Sequence, residues 1–290
     1  MTSERDLLSR IQTSMSTFSK GHKAIGRYII ENYDKAAFMT ACKLGKAVGV
    51  SESTVVRFAM ELGYDGYPRL QKALQELIRA KLTSVQRIQA SSGRINEDEV
   101  LKNVILSDID KLRLTLDDIK KEEFQKIVTA IMEANKIYIL GVRSSAALAS
   151  FMGFYFNLIF ENMRLVHTTS ASEMFEQVLR VKKGDVVIGI SFPRYSKRTV
   201  RALQFAKDRG ATVVAITDSY TSPLTDCSDY NLIAKSDMVS FVDSLVAPLS
   251  VINALIVAIG LRKKEEVFSV FEELENIWDE YDVYEKNDEV

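Results

Sequence analysis

The sequence has few of the residues that build metal sites and disulfides: its 290 residues include 2 Cys and 2 His. Cys42 and Cys227 are far apart in sequence, and two thiols with two imidazoles do not make a zinc ribbon or zinc finger. We therefore expect no metal site and no disulfide framework. A reducing, cytoplasmic setting fits this cysteine usage best.

Long apolar runs are also missing. The segment Phe151–Phe160 is interrupted by Asn157 and followed by Glu161, so it is shorter than the ~20 apolar residues that a membrane-spanning helix needs. The first ten residues are polar and charged, unlike a secretory signal. We expect no membrane association.

The chain as a whole has no surplus of one charge sign, because 38 basic and 39 acidic residues leave a net charge of −1. The distribution is uneven, however. Residues 1–82 hold 13 basic and 8 acidic residues, and the remainder holds 25 basic and 31 acidic ones. A basic part beside an acidic part is typical of a module that binds a polyanion, although a surplus of five charges is modest.

Hydrophobic spacing predicts an all-α N-terminal domain followed by an α/β domain. Within residues 1–82, apolar residues recur at helical spacing over Ala36–Ala47 and from Ser51 to Leu62. A last helix is predicted from Leu70 to about Ile88. Beyond Lys136, five short apolar runs alternate with helical periods, which predicts a doubly wound, parallel five-stranded sheet. The predicted parts are residues 1–82, a linker with lead-in helices at 83–120, the α/β domain at 121–265 and an acidic tail at 266–290.

The two short helices on either side of Gly49-Val50 have the spacing of a helix-turn-helix, whose second helix enters the major groove of DNA. Small polar residues begin that helix, and an arginine one turn later reaches a phosphate or a guanine edge. The alternative is an ordinary helical hairpin with a serine cap. The candidate contacts to double-stranded operator DNA are Ser51, Glu52, Ser53, Thr54 and Arg57, with Lys20, Lys23, Lys43 and Lys46 neutralising the phosphate backbone.

Two loops of the α/β part predict a site for a small anion. Gly141–Ser145 follows a predicted strand and opens a helix, and Ser191–Ser196 does the same further along the chain. Both offer hydroxyls beside a helix N-terminus and both contain an arginine, and such loops converge at the carboxyl edge of a parallel sheet. Neither is a G-x-G-x-x-G or Walker loop, so we expect no nucleotide cofactor. The alternative is that these serines and glycines merely cap helices.

Together these segments resemble the RpiR/MurR family of bacterial transcription regulators, in which a helix-turn-helix precedes a sugar-isomerase-type (SIS) α/β domain. The resemblance covers almost the whole chain. It depends on Ala41–Phe58, Leu62–Tyr67, Ile139–Ser145, Asp185–Ser191, Gly210–Ser219 and Ser222–Leu224.

The resemblance implies that the SIS domain binds a sugar phosphate and thereby alters operator binding. SIS domains pair, so a homodimer or homotetramer is implied, and no enzymatic activity is expected. In this reading the phosphate loop is Ser191–Ser196. The expected effector-binding residues are Gly141, Arg143, Ser144, Ser145, Ser191, Arg194, Tyr195, Ser196 and Ser244.

This sequence departs from the usual form of both loops. The common phosphate loop reads S-x-S-G-x-T, whereas here Pro193 replaces the second serine, Arg194 the glycine and Ser196 the threonine. Arg143 stands where glycine or alanine is more usual. A proline removes a hydroxyl and a backbone donor, and an arginine adds a fork-shaped cation suited to phosphate or carboxylate. The pocket therefore binds either a sugar phosphate in a different way or another small anion, such as an acid or a phosphorylated acid.

Two other functions compete with the regulator. A sugar-phosphate isomerase with a helical N-terminal extension needs a general base, for which His167 and Glu173 are the candidates. An interaction module that has lost ligand binding is suggested by Pro193. DNA binding, proton exchange on sugar phosphates and a ligand screen discriminate the three.

Overall fold

The computed structural model of the protein describes residues 7–81, 85, 88, 97–168, 170–236 and 242–284. The chain forms two compact units, Met1–Ala90 and Ser91–Val290. The predicted polar linker over residues 89–96 lies outside the described residues, as do residues 82–84 of the predicted last head helix and the end of the acidic tail.

The first unit is helical, as the periodicity predicts. Its elements are α1 (Leu7–Ser14), α2 (Lys20–Glu31), α3 (Tyr33–Ala36), α4 (Ala41–Val48), α5 (Glu52–Glu61) and α6 (Tyr67–Lys81). Five of these helices each contribute large apolar side chains to one core, and full burial of such a side chain stabilises the fold by about 1.5–3 kcal/mol. The buried side chains include Ile11, Ile25, Ile29, Leu44, Phe58, Leu70 and Leu74.

The single helix predicted over Ala36–Ala47 is wrong, because the chain breaks between α3 and α4. The side chain of Thr40 begins α4 by accepting a hydrogen bond from the Lys43 amide at 3.2 Å. The Met39 carbonyl accepts one from Gln71 Nε2 of α6 at 2.8 Å. One neighbouring side chain and one distant side chain thus bond backbone groups that a continuous helix would bond internally.

Tyr67 anchors α6 to this break, and its removal has an expected cost. Its buried hydroxyl donates to the Met39 carbonyl at 2.8 Å. We expect Tyr67→Phe to lower the free energy of unfolding by about 1 kcal/mol near neutral pH, since Gln71 still bonds the same carbonyl. Chemical denaturation measures this difference. Tyr28→Phe is the control, because among the described residues that hydroxyl bonds only the Met39 sulfur, at 3.8 Å.

The same hydroxyl predicts a pH dependence. Burial raises the pKa of Tyr67 from 10.0 to about 12. Because the folded state favours the neutral phenol, this stabilisation is complete below pH 10 and is lost between pH 10 and 12. Tyr67→Phe removes that component, so equal losses in variant and wild type over this pH range would contradict the assignment.

The second unit alternates helices with strands. After a 3₁₀ turn at Glu97–Glu99 come α7 (Val100–Asp118), α8 (Lys121–Met132), β1 (Ile137–Gly141), α9 (Ser144–Ile159), β2 (Met163–Val166), α10 (Ala171–Val178), β3 (Val186–Ile190), α11 (Lys197–Asp208), β4 (Thr212–Thr217), β5 (Tyr230–Ile233), α12 (Val246–Arg262) and α13 (Lys264–Glu280).

The five strands form one parallel sheet in the order β2-β1-β3-β4-β5. β1 and β3 are buried throughout, because helices cover both faces of the sheet. Alternate residues of β1 face opposite sides: Ile137 and Ile139 join the core with α8, α9 and α12, whereas Tyr138 and Leu140 join the core with α10 and α11. The predicted doubly wound sheet is confirmed.

The acidic C-terminal segment begins as the helix α13, which has no buried residue among those described. Among the described residues no single helix is long and apolar enough to cross a membrane. Only α12 and α13 counted together meet that length and composition, and they are bent by 99°.

Candidate functional site

The turn between α4 and α5 is tight for two separate reasons. Gly49 ends α4 in the left-handed region at φ 75°, where glycine is the usual residue. Gly45 lets the turn fold back onto α4, because a Cβ at this position would lie 2.7 Å from the Val50 carbonyl oxygen. The Val50 amide in turn donates to the Gly45 carbonyl at 2.9 Å. These contacts fix α5 relative to α4, as a helix-turn-helix requires.

The N-terminus of α5 presents a cluster of hydroxyls. Ser51 accepts a hydrogen bond from the Thr54 amide at 3.3 Å, and its Oγ lies 2.9 Å from Ser53 Oγ and 2.8 Å from Thr54 Oγ1. Ser51, Glu52 and Ser53 are exposed, and Thr54 is half-buried. Hydroxyls beside free amides at the positive end of a helix dipole suit a phosphate or a base edge.

Arg57 lies one turn further along α5 and is exposed. Its Nε donates to the Ser53 carbonyl at 3.3 Å, and its two terminal amino groups have no hydrogen bond within the described ranges. Exposed cations also lie on two of the helices that pack against α5: Lys20 on α2 and Lys46 on α4. Lys23 on α2 is half-buried.

Sequence reasoning missed Arg10 of α1, which holds the far end of α5. Its guanidinium donates to the Leu62 carbonyl, just past the end of the helix, and stacks over the Tyr64 ring at 5.2 Å from the centroid. A cation at a helix C-terminus bonds carbonyls that the helix leaves without partners. No local pattern in the sequence links residues 52 positions apart.

The two predicted anion loops lie side by side. β1 and β3 are neighbours in the sheet, and Gly141 is in register with Ile190 at their carboxyl ends. The chain turns to one side after β1 and to the other after β3, so this is the point where strand order reverses. Parallel α/β sheets bind ligands in the crevice at such a point.

The loop after β1 is compact and strained. A Cβ on Gly141 would lie 2.6 Å from the Ser145 carbonyl oxygen, so α9 begins close against the strand. Arg143 has φ 59° and ψ −128°, the dihedrals of the first central residue of a type II′ turn, where glycine is usual. Such a conformation costs a non-glycine residue about 1–3 kcal/mol. Arg143 and Ser144 are exposed, and Ser145 is buried.

The loop after β3 carries a second strained arginine. Arg194 is exposed at φ 62°, at the position where the usual loop has glycine. Ser191 is buried and accepts a hydrogen bond from the Ser196 amide at 3.1 Å, while Ser196 accepts one from the Thr199 amide at 3.3 Å at the start of α11. Pro193 is buried. The serines thus shape the loop as well as offering hydroxyls.

Tyr195 is held by a neighbouring strand. Its hydroxyl donates to Oδ1 of Asp218, the residue after β4, at 2.8 Å, and Thr217 Oγ1 lies 3.3 Å from the same oxygen. Burial and then the Asp218 carboxylate raise the pKa of Tyr195 far above its usual value, so this phenol stays a donor. This hydrogen bond to Asp218 uses the Tyr195 hydroxyl, which we predicted from the sequence to contact the effector.

A run of basic residues after β3 was also missed. Val186 to Lys207 contains no acidic residue, although its basic residues number five: Arg194, Lys197, Arg198, Arg201 and Lys207. Lys197, Arg198 and Arg201 are exposed on α11. The signal was present as a charge run within an otherwise acidic part of the chain.

Three other candidates have contacts of their own, and two of them, His167 and Glu173, follow β2, the strand beside β1. Ser244 donates to Oδ1 of Asp108 on α7 at 2.6 Å, so its predicted role at the loops has no support from these contacts. Glu173 accepts a hydrogen bond from Thr168 Oγ1, and His167 is exposed. Within the described ranges no group of three His, Cys, Asp or Glu side chains is placed to hold a metal ion.

A helix-turn-helix unit followed by a parallel α/β unit defines the protein as a DNA-binding transcription regulator. Two family models match the chain: a helix-turn-helix domain of the rpiR family at residues 5–81 and a SIS domain at residues 130–258. The chain belongs to the RpiR family of transcriptional regulators.

Known proteins agree with this membership. The chain is 28% identical to an uncharacterised HTH-type transcriptional regulator of Caldanaerobacter subterraneus subsp. tengcongensis, over 92% of this chain and 95% of the relative. The sugar isomerase domain of an RpiR transcription factor from Sphaerobacter thermophilus is 29% identical with a TM-score of 0.59, over 61% of this chain and 99% of that one. The Vibrio vulnificus NanR protein complexed with ManNAc-6P shares the fold, at 24% identity and a TM-score of 0.59, over 94% of this chain and 98% of NanR.

Proposed function

We propose that the SIS domain binds a small anionic carbohydrate derivative, a sugar phosphate, and that this binding alters the affinity of the helix-turn-helix for operator DNA. The observation that carries the proposal is the juxtaposition of two serine-containing loops, each with an exposed arginine, at the carboxyl ends of β1 and β3. The NanR structure, which shares the fold, contains NanR complexed with the sugar phosphate ManNAc-6P.

In this proposal the ligand's phosphate binds where Ser144, Ser145 and Ser191 meet the N-terminus of α9. Arg143 and Arg194 pair with its charge. The SIS domains form a homodimer or homotetramer in the cytoplasm, which sets the separation of the DNA-binding heads on a palindromic site. The effector shifts the population toward the arrangement that it binds better.

Operator contacts come from the α5 N-terminus in this proposal, with Ser51, Glu52, Ser53 and Thr54 at the bases or phosphates. Lys20, Lys23 and Lys46 contact the phosphate backbone. We expect Arg57→Ala to weaken binding to DNA from the region upstream of the protein's own gene by about tenfold, and to reduce the dependence of affinity on salt. Fluorescence anisotropy at several salt concentrations measures both.

Arg69→Ala is the matched control, because Arg69 is an equally exposed cation of the same unit, at the start of α6. It lowers the charge of the first unit by the same amount from a position outside α5. If Arg57→Ala and Arg69→Ala bind DNA equally well, then α5 is not the recognition helix.

We propose further that the protein is not an isomerase. Of the two candidates for a base, Glu173 accepts a hydrogen bond from Thr168, and the His167 imidazole has no hydrogen bond within the described ranges, although the His167 backbone bonds Gln177. Incubation with sugar phosphates in deuterated water tests this point, since proton exchange at the sugar carbon would reveal enolisation. Exchange above the uncatalysed rate would restore the enzymatic alternative.

A further inference from the structure

An apolar groove lies between α7 and α12, and we call it the α7–α12 groove. It has a volume of about 590 Å³, and the start of α8 also lines it. Leu116 on α7 is 77% exposed, and Ala254 on α12 is exposed as well. The other apolar residues of the lining include Ile119, Phe124 and Val251. A contiguous apolar surface that stays open in a folded protein marks a site where another molecule binds.

The charged residues that line the groove are both basic. Arg113 lies on α7, Lys121 is the first residue of α8, and both are exposed. Arg113 pairs with Asp110 at 3.6 Å, but the two side chains are 74% and 70% exposed, and an ion pair this exposed contributes at most about 1 kcal/mol. An apolar groove with basic side chains suits an apolar segment that carries acidic residues.

The helix α13 is a segment of this kind. Seven of its 17 residues are acidic and one is basic. Its apolar residues recur at helical spacing and form one stripe along the helix, which has about 3.6 residues per turn. Glu272 and Glu275 follow on one side of the stripe, and Glu273 follows on the other. Amphipathic helices bind apolar grooves through such a stripe. The stripe consists of Val267, Val270, Phe271, Leu274, Ile277 and Trp278.

The chain to which α13 belongs covers this helix incompletely. The helix packs against α9 and α12 and is bent by 99° from α12. None of its described residues is buried: Phe268 is 63% exposed, Ile277 is 42% exposed and Trp278 is half-buried. The apolar stripe of a surface helix normally packs against a partner, which stabilises it by about 25 cal/mol for each Å² removed from water. The groove and the helix are therefore two uncovered apolar surfaces of opposite charge.

We propose that α13 of one copy of the chain binds in the α7–α12 groove of a second copy. In a two-fold dimer the exchange is reciprocal, so both grooves and both helices are covered at once. The stripe packs on the apolar lining, and the glutamates beside it pair with Arg113 and Lys121. The contact gives the homo-oligomer of the proposed function a specific surface. It requires neither effector nor DNA, so its failure would leave sugar-phosphate sensing and operator binding in place.

Trp278 makes the contact measurable, because it is the one tryptophan of the sequence and lies on α13. Ala254→Arg places a long cationic side chain in the groove from an exposed position of α12. In the full-length protein at micromolar concentration, we expect this variant to shift Trp278 fluorescence to longer wavelength and to raise its quenching by acrylamide about twofold, because the indole returns to water.

Asn253→Arg is the matched control, since Asn253 is the exposed neighbour of Ala254 on α12 and does not line the groove. We expect it to keep the fluorescence of the wild-type protein, and circular dichroism checks that both variants are folded. Equal quenching in the wild type and in the Ala254→Arg variant would overturn the proposal, since α13 would then lie outside the groove. A small apolar molecule as the occupant gives that result.

A mixture of variants distinguishes a second copy from the same chain. Leu274→Asp combined with Trp278→Phe interrupts the stripe, leaves the groove open and removes the only tryptophan. This protein is mixed in excess with the Ala254→Arg variant at low concentration, and the two are then concentrated together so that subunits exchange. We expect the quenching of Trp278 to return toward the wild-type value, because an intact helix meets an open groove. No recovery would mean that α13 occupies the groove of its own chain, and the proposal would be wrong.

Charge reversal tests the pairing of glutamates with the groove. We expect Arg113→Glu with Lys121→Glu to increase the quenching of Trp278, and the further addition of Glu272→Lys with Glu273→Lys to reverse that increase. Lys126→Glu is the control, because Lys126 is an exposed lysine of α8 that does not line the groove. A combined variant that stays as strongly quenched as the first pair would contradict the charge complementarity on which the choice of occupant depends.

Discussion

Gly45→Ala is expected to destabilise the helix-turn-helix unit by about 2–4 kcal/mol and to abolish measurable DNA binding, because the added methyl group has no space. Its Cβ would lie 2.7 Å from the Val50 carbonyl oxygen, which belongs to the backbone of the turn. The backbone must therefore move, and α5 moves with it. Chemical denaturation measures the stability, and fluorescence anisotropy with upstream DNA measures the binding.

Two glycines supply matched controls. Gly260 of α12 has no atom within 4 Å of an added Cβ and no positive φ, so Gly260→Ala is expected to raise stability by about 0.5–1 kcal/mol through helix propensity. Gly49→Asn tests backbone conformation without a clash, because asparagine tolerates the left-handed region. A Gly45→Ala variant as stable as the Gly260→Ala variant would show that the turn does not pack as described.

Arg143→Gly and Arg194→Gly are expected to make the protein more stable and a poorer ligand binder at once. Each substitution relieves a positive-φ strain of about 1–3 kcal/mol and adds about 0.5–1 kcal/mol of backbone entropy to the unfolded state, for a net gain of about 1 kcal/mol. In the proposed site each also removes a guanidinium that pairs with the ligand, so affinity for a sugar phosphate should fall by about tenfold or more. Thermal unfolding and calorimetry measure the two effects.

Alanine variants at the same positions separate strain from charge. Arg143→Ala and Arg194→Ala lose the guanidinium but keep a Cβ at positive φ, so they should lose affinity without gaining stability. If the glycine variants are no more stable than the alanine variants, the two backbone positions are not strained.

The part of the fold that could be predicted depends on local periodicity. Strands such as Val186–Ile190 are continuous apolar runs, which a sheet covered on both faces requires, so the strands and their parallel arrangement could be predicted. The break between α3 and α4 was not readable, because Gln71 and Tyr67, about 30 positions away, bond the carbonyl of Met39. Apolar spacing alone continues through such a break.

The candidate sites also contain some features that local sequence predicts and others that depend on residues distant in sequence. The loops after β1 and β3 could be located because strand ends and helix starts are local features, and parallel topology brings them together. The partners of Tyr195 and Ser244 could not, since Asp218 and Asp108 come from other elements. The sequence also contained the basic run from Arg194 to Lys207, but only the structure distinguishes Arg198 and Arg201, which are exposed, from the buried Thr199 between them.

The boundary between β1 and β3 has a mechanical consequence. These strands are joined by hydrogen bonds in the sheet, but the chain between them passes through α9, β2 and α10 on one side, so no short connection crosses the boundary. A ligand that contacts the loops after both β1 and β3 would link the two strands non-covalently across this boundary. If the effector binds there as proposed, its occupancy would couple the β2-β1 part of the sheet to the β3-β4-β5 part and make the sheet more rigid.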